Sequence, residues 1–188
     1  LKPAALDYDP DRAQELIDEL RADGVLEEDF SFMIYSVQDP ARSRVAQAVA
    51  TALREYDIDA SVETPEWGTL LPMLEEGVPM YAMGWGSVPD PDRWTYRIFH
   101  STSNRNFSNV DDPEIDRLLE EGRRVTDNEE RRRIYQEVMV KMLAEEYVHI
   151  PLVWLNTIVG VNESVEDFKA SPQNYFHLVT EERNVTLR

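Results

Sequence analysis

Two hydrophobic periods take turns along the first half of this chain, and their alternation restricts the folds open to it. Asp9 and Pro10 supply a cap and a first turn, after which Ala13, Leu16, Ile17 and Leu20 recur at helical spacing until Gly24. DFSFMIYS (29–36) follows, a short apolar run expected to form a buried strand. A second helix is expected from Pro40 to about Tyr56, with Val45, Ala48, Val49, Ala52, Leu53 and Tyr56 on its inner face. IDASVET (58–64) is the next strand. Thr64-Pro65 then opens a helix striped by Trp67, Leu70, Leu71 and Leu74, which Pro72 is expected to kink or break. MYAMGW (80–85) is the third strand. Helix, strand, helix, strand, helix, strand is the pattern of an α/β layer architecture.

The next stretch, GWGSVPDPDRWTYRIFHS (84–101), carries Trp85, Trp94, Tyr96 and Phe99 around a PDPD turn and is expected to be an irregular loop. Helical signals resume at Asp112-Pro113, with Ile115, Leu118, Leu119 and Gly122 facing inward. Asp127 starts a long helix of roughly 128–146, whose apolar face holds Ile134, Tyr135, Val138, Met139, Met142 and Leu143. Arg131, Arg132 and Arg133 lie early in it, where cations meet the helix dipole unfavourably. They are expected to pair with Glu129, Glu130 and Glu137 on a solvated face. VHIPLVWLNTIVGV (148–161) is rich in β-branched residues and is expected to form a buried strand or pair of strands. Beyond it come short extended pieces around Phe168, Tyr175-Phe176 and Val185, expected to pack on the domain edge or to mediate self-association.

Charge narrows the function classes. The 188 residues carry a net charge of −18, from 37 acidic and 19 basic residues, and the only lysines are Lys2, Lys141 and Lys169. Such an excess repels phosphate backbones, which disfavours nucleic acid as a partner, and it suits a protein kept soluble in concentrated salt. No run of eighteen apolar residues is present, so no membrane-spanning helix is expected. With no cysteine, disulfides, thiolate nucleophiles and Cys-based metal sites are excluded. The sequence begins at Leu1 without an initiator methionine and is expected to be a fragment or processed product. The sequons at Asn106, Asn162 and Asn184 agree with export.

The candidate chemistry is thin. His100, His149 and His177 lack partners at zinc-site spacing, with His149 expected in the core, and nothing calls for a metal or cofactor. There is no GxSxG elbow, P-loop or GxGxxG motif, so no enzyme is expected. A carboxylate pair at Asp90 and Asp92 keeps a sugar-binding or sugar-hydrolysing module open as an alternative, and a plain interaction module is a third reading. The stronger signal is aromatic. Trp85 ends a strand, Gly86 and Ser87 permit close approach, and Pro89 and Pro91 stiffen the turn. Ligands of open α/β sheets bind just past the carboxyl ends of strands, where an indole offers a flat wall. Trp85 is therefore expected to line a ligand cleft, while Tyr96 and Phe99 plug the core. Trp67 either faces the same crevice or packs inward.

Taken in order, ALDYDPDRAQELIDEL, IDASVETPEWGTLLPMLEEG, MGWGSVPDPDRWTYRIFHS and NRNFSNVDDPEIDRLLEEGRRVTDNEERRRIYQEVMVKMLAEEYVHIPLVW resemble the C-terminal part of the extracellular solute-binding proteins of peptide-type ABC importers (family 5). The resemblance implies one lobe of a two-lobed periplasmic-binding-protein-like fold of type II. Residues 1–160 would be the second lobe and 161–188 a return segment completing an absent first lobe. It further implies capture of a small solute, most often a peptide, and delivery to a membrane permease from an extracellular or periplasmic, membrane-anchored position. By position Trp85, Gly86, Ser87, Asp90, Asp92 and Trp67 would face the ligand, and Asn104 and Asn106 would order a loop. Where many peptide binders hold the ligand amine with an aspartate this chain has Val88, and some members' arginine is Ala82. Asp90 or Asp92 would then substitute, and sugars, nickel complexes and other small solutes stay open as ligands.

Overall fold

The computed structural model describes residues 8–86, 88, 90–145, 149–153, 155, 156, 158–166, 168, 179, 180, 183, 184, 186 and 187. A three-stranded parallel sheet organises the first part: β1 (Ser31–Ser36) is central, flanked by β2 (Asp59–Glu63) and β3 (Met80–Ala82). Ser31 pairs with Asp59 and Tyr35 with Glu63 on one side, Ile34 with Met80 and Ser36 with Ala82 on the other. The order β2-β1-β3 means that the chain leaves β1 to one side and returns on the other. Parallel strands buried on both faces explain the near-continuous apolar runs.

Each face of the sheet has its own core. On one, Phe32 and Ile34 of β1 and Ala60 of β2 pack under Ala46, Val49, Ala50 and Leu53 of α2 (Pro40–Arg54). Val49 and Leu53 face inward as expected, Ala46 and Ala50 complete the stripe, and Ala48 and Ala52 are exposed. Alanine is small enough to sit on either side of a helix, and here the two buried alanines allow α2 close to the strands. On the opposite face Tyr35, Tyr81 and Met83 pack with Leu70 and Leu74 of α3 (Trp67–Glu76) and with Phe107. α3 runs through Pro72 rather than ending there. The proline removes the bond to the carbonyl of Gly68, but Gly68 is exposed, so water can take that place.

α1 (Pro10–Ala22) is capped as expected, with the Asp9 side chain accepting from the Arg12 amide. It buries less than its periodicity promises: Leu16 and Leu20 are exposed and only Ala13, Ile17 and Arg21 are half-buried. Arg21 ties it to the sheet layer by donating to the Tyr56 carbonyl at 2.8 Å.

A helical layer forms the second part. The PDPD stretch is not wholly irregular, since α4 spans Asp92–Phe99, with Thr95 and Phe99 turned into the core. α5 (Pro113–Arg124) and α6 (Asn128–Val140) pack through Ile115, Leu118, Leu119, Ile134, Val138 and Met142. At Gly122 the two helices lie close: a Cβ there would be 2.8 Å from Cζ of Tyr135. α6 continues as one wide π turn over Lys141–Glu145. His149 packs edge-on against Phe99 at 5.7 Å, and burial pushes its pKa down.

The expected buried strand at 148–161 is not found. Among its described residues none is paired in a sheet, and Ile150, Leu152, Val153, Leu155 and Ile158 are exposed, Ile158 at 94%. β-branched residues select extended backbone, but burial needs a neighbouring strand or layer, and the described residues supply none here. Further on, β4 (Val165–Glu166) pairs antiparallel with β7 (Thr186–Leu187), and β5 (Val179–Thr180) with β6 (Arg183–Asn184). Tyr175, Phe176 and Val185 lie outside the described residues.

Candidate functional site

In a parallel sheet the strands' carboxyl ends and the N-termini of the following helices share one edge. Here that edge carries Val37, Gln38 and Asp39 after β1, Glu66 and Trp67 after β2, and Met83 to Gly86 after β3. α2 follows β1 and α3 follows β2, and they pack on opposite faces of the sheet, so this edge is open between the loops after β1 and β2, where Val37, Gln38, Glu66, Trp67 and Gly68 line a depression. Trp85 stands at the same edge just past β3, half-buried and packed against the cluster of Leu70, Leu74 and Phe107. Alternation puts it on the face of Tyr81 and Met83. It stacks on Phe107 at 6.3 Å and meets Trp94 of α4 at 4.8 Å with 39° between the rings. The Trp94 indole N–H donates to the Gly86 carbonyl, so the two indoles and Gly86 form one unit.

Arg42, which the sequence reading passed over, belongs to this edge. It occupies the first turn of α2, where Asp39 caps its amide and lies 3.4 Å from Nη1. Its Nε would be 3.2 Å from a Cβ on Gly84. Glycine at 84 thus leaves the space that the guanidinium fills beside the backbone leading into Trp85. Its signal in the sequence is its place: a helix that begins at a strand's carboxyl end points its first turn at this edge.

Trp67 is 48% exposed and lines a depression with Val37, Gln38, Glu66 and Gly68. A second depression is lined by Glu75, Ser103, Asn104, Asn106, Asp111 and Phe107 among others. Trp85 lines neither, although its stacking partner Phe107 borders the second. Asn106 orders its loop by bonding the Val110 amide at 3.0 Å and the Val110 carbonyl at 2.7 Å. Ser87 lies outside the described residues, and Val88 is half-buried.

Asp90, exposed, and Asp92, half-buried, are each engaged by an arginine. Asp90 accepts two bonds from Arg131, at 2.7 and 2.9 Å, and one from the Asp92 amide at 2.9 Å. Asp92 accepts from Arg123 Nε at 2.9 Å and from the Tyr135 hydroxyl at 3.1 Å. Arg131 therefore pairs across 41 residues instead of with its helix neighbours, while Arg132 does lie 3.6 Å from Glu129. The Arg131 guanidinium holds the Asp90 carboxyl below the ordinary carboxylate range. An acid so held lacks the proton that a glycosidase general acid delivers. Burial pushes the Tyr135 hydroxyl up to about 12, with Asp92 adding to the effect. Among the described residues no group of three His, Asp or Glu side chains could hold a metal ion, and no helix is long and apolar enough to cross a membrane.

This arrangement, a parallel sheet flanked by helices with tryptophans at its carboxyl edge, is one lobe of the type II periplasmic-binding-protein architecture. In solved structures it is matched by the periplasmic binding protein DppA of Helicobacter pylori in complex with the peptide STSA. That likeness has a TM-score of 0.71 at 25% identity and covers 86% of this chain and 32% of that one. NikZ of Campylobacter jejuni in complex with Ni(L-His) matches at a TM-score of 0.61 and 27% identity, over 72% of this chain and 30% of that one. Residues 1–106 match the model for the middle region of the bacterial extracellular solute-binding proteins, family 5, and the chain belongs to that family. Di/tripeptide-binding protein 3 of Pseudomonas aeruginosa is 28% identical over 183 residues, which cover 92% of this chain and 34% of that protein. The chain thus spans about a third of the length of the relatives it matches.

Proposed function

We propose that this chain is the second lobe of the solute-binding component of an ABC importer. In this reading it closes on a small solute, a short peptide most readily, and hands it to a membrane permease on the extracellular or periplasmic face, from an anchored parent protein. The observation that carries the reading is the position of Trp85, at the carboxyl end of β3 beside the strand reversal and braced by Trp94 and Phe107. Several relatives, Di/tripeptide-binding protein 3 of P. aeruginosa among them, are named for di- and tripeptides, and the H. pylori neighbour holds a peptide.

Residues 1–160 form the lobe in this account, and 161–188 return toward a first lobe. The exposed apolar side chains of Ile150, Leu152, Val153 and Ile158 support that division, because a second layer would cover them. Trp85, Gly86, Ser87 and Trp67 face the solute. Arg42 stands at the same edge as the cationic group nearest Gly84. Asp90 and Asp92, engaged by arginines, serve the loop instead of the ligand amine, so the amine's counter-charge comes from elsewhere than this turn. The excess of carboxylates suits work in concentrated salt.

Calorimetry on the complete two-lobed protein with panels of di- and tripeptides, nickel–histidine and oligosaccharides tests the reading. Heat of binding with peptides and not with sugars is expected. Binding of sugars alone, or of nothing in the three panels, would overturn it.

A further inference from the structure

We propose that Arg131 and Arg123 are positioning residues that set the Trp85–Trp94 wall, acting through the carboxylates of Asp90 and Asp92 and not through contact with a ligand. The connection from β3 to α4 has prolines at 89 and 91, which donate no backbone hydrogen bond. Its geometry is held by side chains. The Asp90 carboxylate turns the chain by accepting the Asp92 amide, and both of its oxygens are engaged by Arg131. Arg131 is fixed in turn, because its Nε donates to the Gly122 carbonyl at 2.8 Å. A guanidinium bonded on two sides is a rigid fork, which is what distinguishes it from an ammonium in the same place.

The second clasp is built around Asp92. Arg123 reaches it from α5 while lying 3.4 Å over the Tyr96 ring, and Tyr135 reaches it from α6. Gly122 allows this closeness by carrying no side chain toward Tyr135. Both clasps end on the segment that carries Trp85, Gly86 and Trp94. The Trp94 N–H bond to Gly86 passes the restraint on to Trp85. Arg131 also stands in the first turn of α6, where the helix dipole disfavours a cation. The bidentate partner 41 residues away compensates for that placement.

That the wall serves a ligand rests on the function proposed above; that the arginines set its geometry does not, and the test needs no ligand. Two indoles 4.8 Å apart couple excitonically and give a circular-dichroism couplet in the far ultraviolet. It is identified by its loss in Trp85→Phe. Arg131→Gln and Asp90→Asn are each expected to lose the couplet and to make tryptophan emission more accessible to acrylamide, while a cooperative urea transition persists. Arg131→Lys, which keeps the charge without the fork, is expected to restore little of it. A full couplet in folded Arg131→Gln or folded Asp90→Asn would overturn the proposal. If Arg131→Gln does not fold, Asp90→Asn decides alone, since it alters only the exposed partner, which is 51% accessible.

Discussion

Gly122→Ala sets helix propensity against packing, and the structure says which prevails. Gly122 lies in the last turns of α5, where alanine by propensity alone would stabilise by about 0.5–1 kcal/mol. The new methyl would sit 2.8 Å from Cζ and 3.0 Å from Cε2 and the hydroxyl of Tyr135, against an ordinary carbon contact of about 3.5–4.0 Å. Tyr135 is buried and has Arg131 and Asp92 beside it, so the ring cannot move without loss. Overpacking of this kind costs about 1–3 kcal/mol. Displacing the hydroxyl from Asp92 adds about 0.5–1.5 kcal/mol. The balance is a destabilisation of about 2 kcal/mol, which for a chain of this size lowers Tm by roughly 4–8 °C. Urea denaturation followed at 222 nm measures it. In a Tyr135→Leu background the same substitution should become neutral or stabilising, because the obstructing ring is gone. Gly122→Ala as stable as wild type, or more so, would refute the packing described for α5 and α6.

Other perturbations probe the charges. Asp90 has a depressed pKa in the folded state, so the stability it contributes is present above the ordinary aspartate pKa of about 3.9 and is lost as pH falls through the lower, folded value. Wild type should therefore lose more stability than Asp90→Asn between pH 5 and pH 2, a comparison made by denaturant titration at each pH. Parallel curves would contradict the Asp90–Arg131 pairing. With a net charge of −18, self-repulsion acts over a Debye length of about 10 Å at 0.1 M salt and about 3 Å at 1 M. Thermal melts should rise on moving from 0.1 M to 1 M potassium chloride, and equal melts would count against salt adaptation.

The three strands and the helices between them could be read from the sequence because their determinants are local. Asp9, Asp39, Asp112 and Asp127 cap the helices that follow them, and short apolar runs mark the strands. On α2 Val49 and Leu53 mark the inner face, but alanines lie on either side of them and only contact with the sheet selects Ala46 and Ala50 over Ala48 and Ala52. α4 was missed because eight residues with two buried positions, Thr95 and Phe99, carry too little periodicity beside a PDPD turn. The segment 148–161 misled because composition records the preference of the backbone and not the presence of a partner. The position of Trp85 just past β3 is legible from the apolar run that precedes it. The partners of Asp90 and Asp92 are not, since Arg131 and Arg123 lie 41 and 31 residues away and are brought near only by the packing of α4, α5 and α6.

The role of the Trp85 indole as part of the solute-binding wall is tested most directly by the affinity of the Trp85→Ala variant of the complete protein for a di- or tripeptide that wild type binds. A buried aromatic anchor removed from a binding site costs about 2 kcal/mol or more, so Kd should rise by roughly thirtyfold or more with the fold intact. An unchanged Kd in a folded Trp85→Ala protein would place the ligand elsewhere and contradict the account.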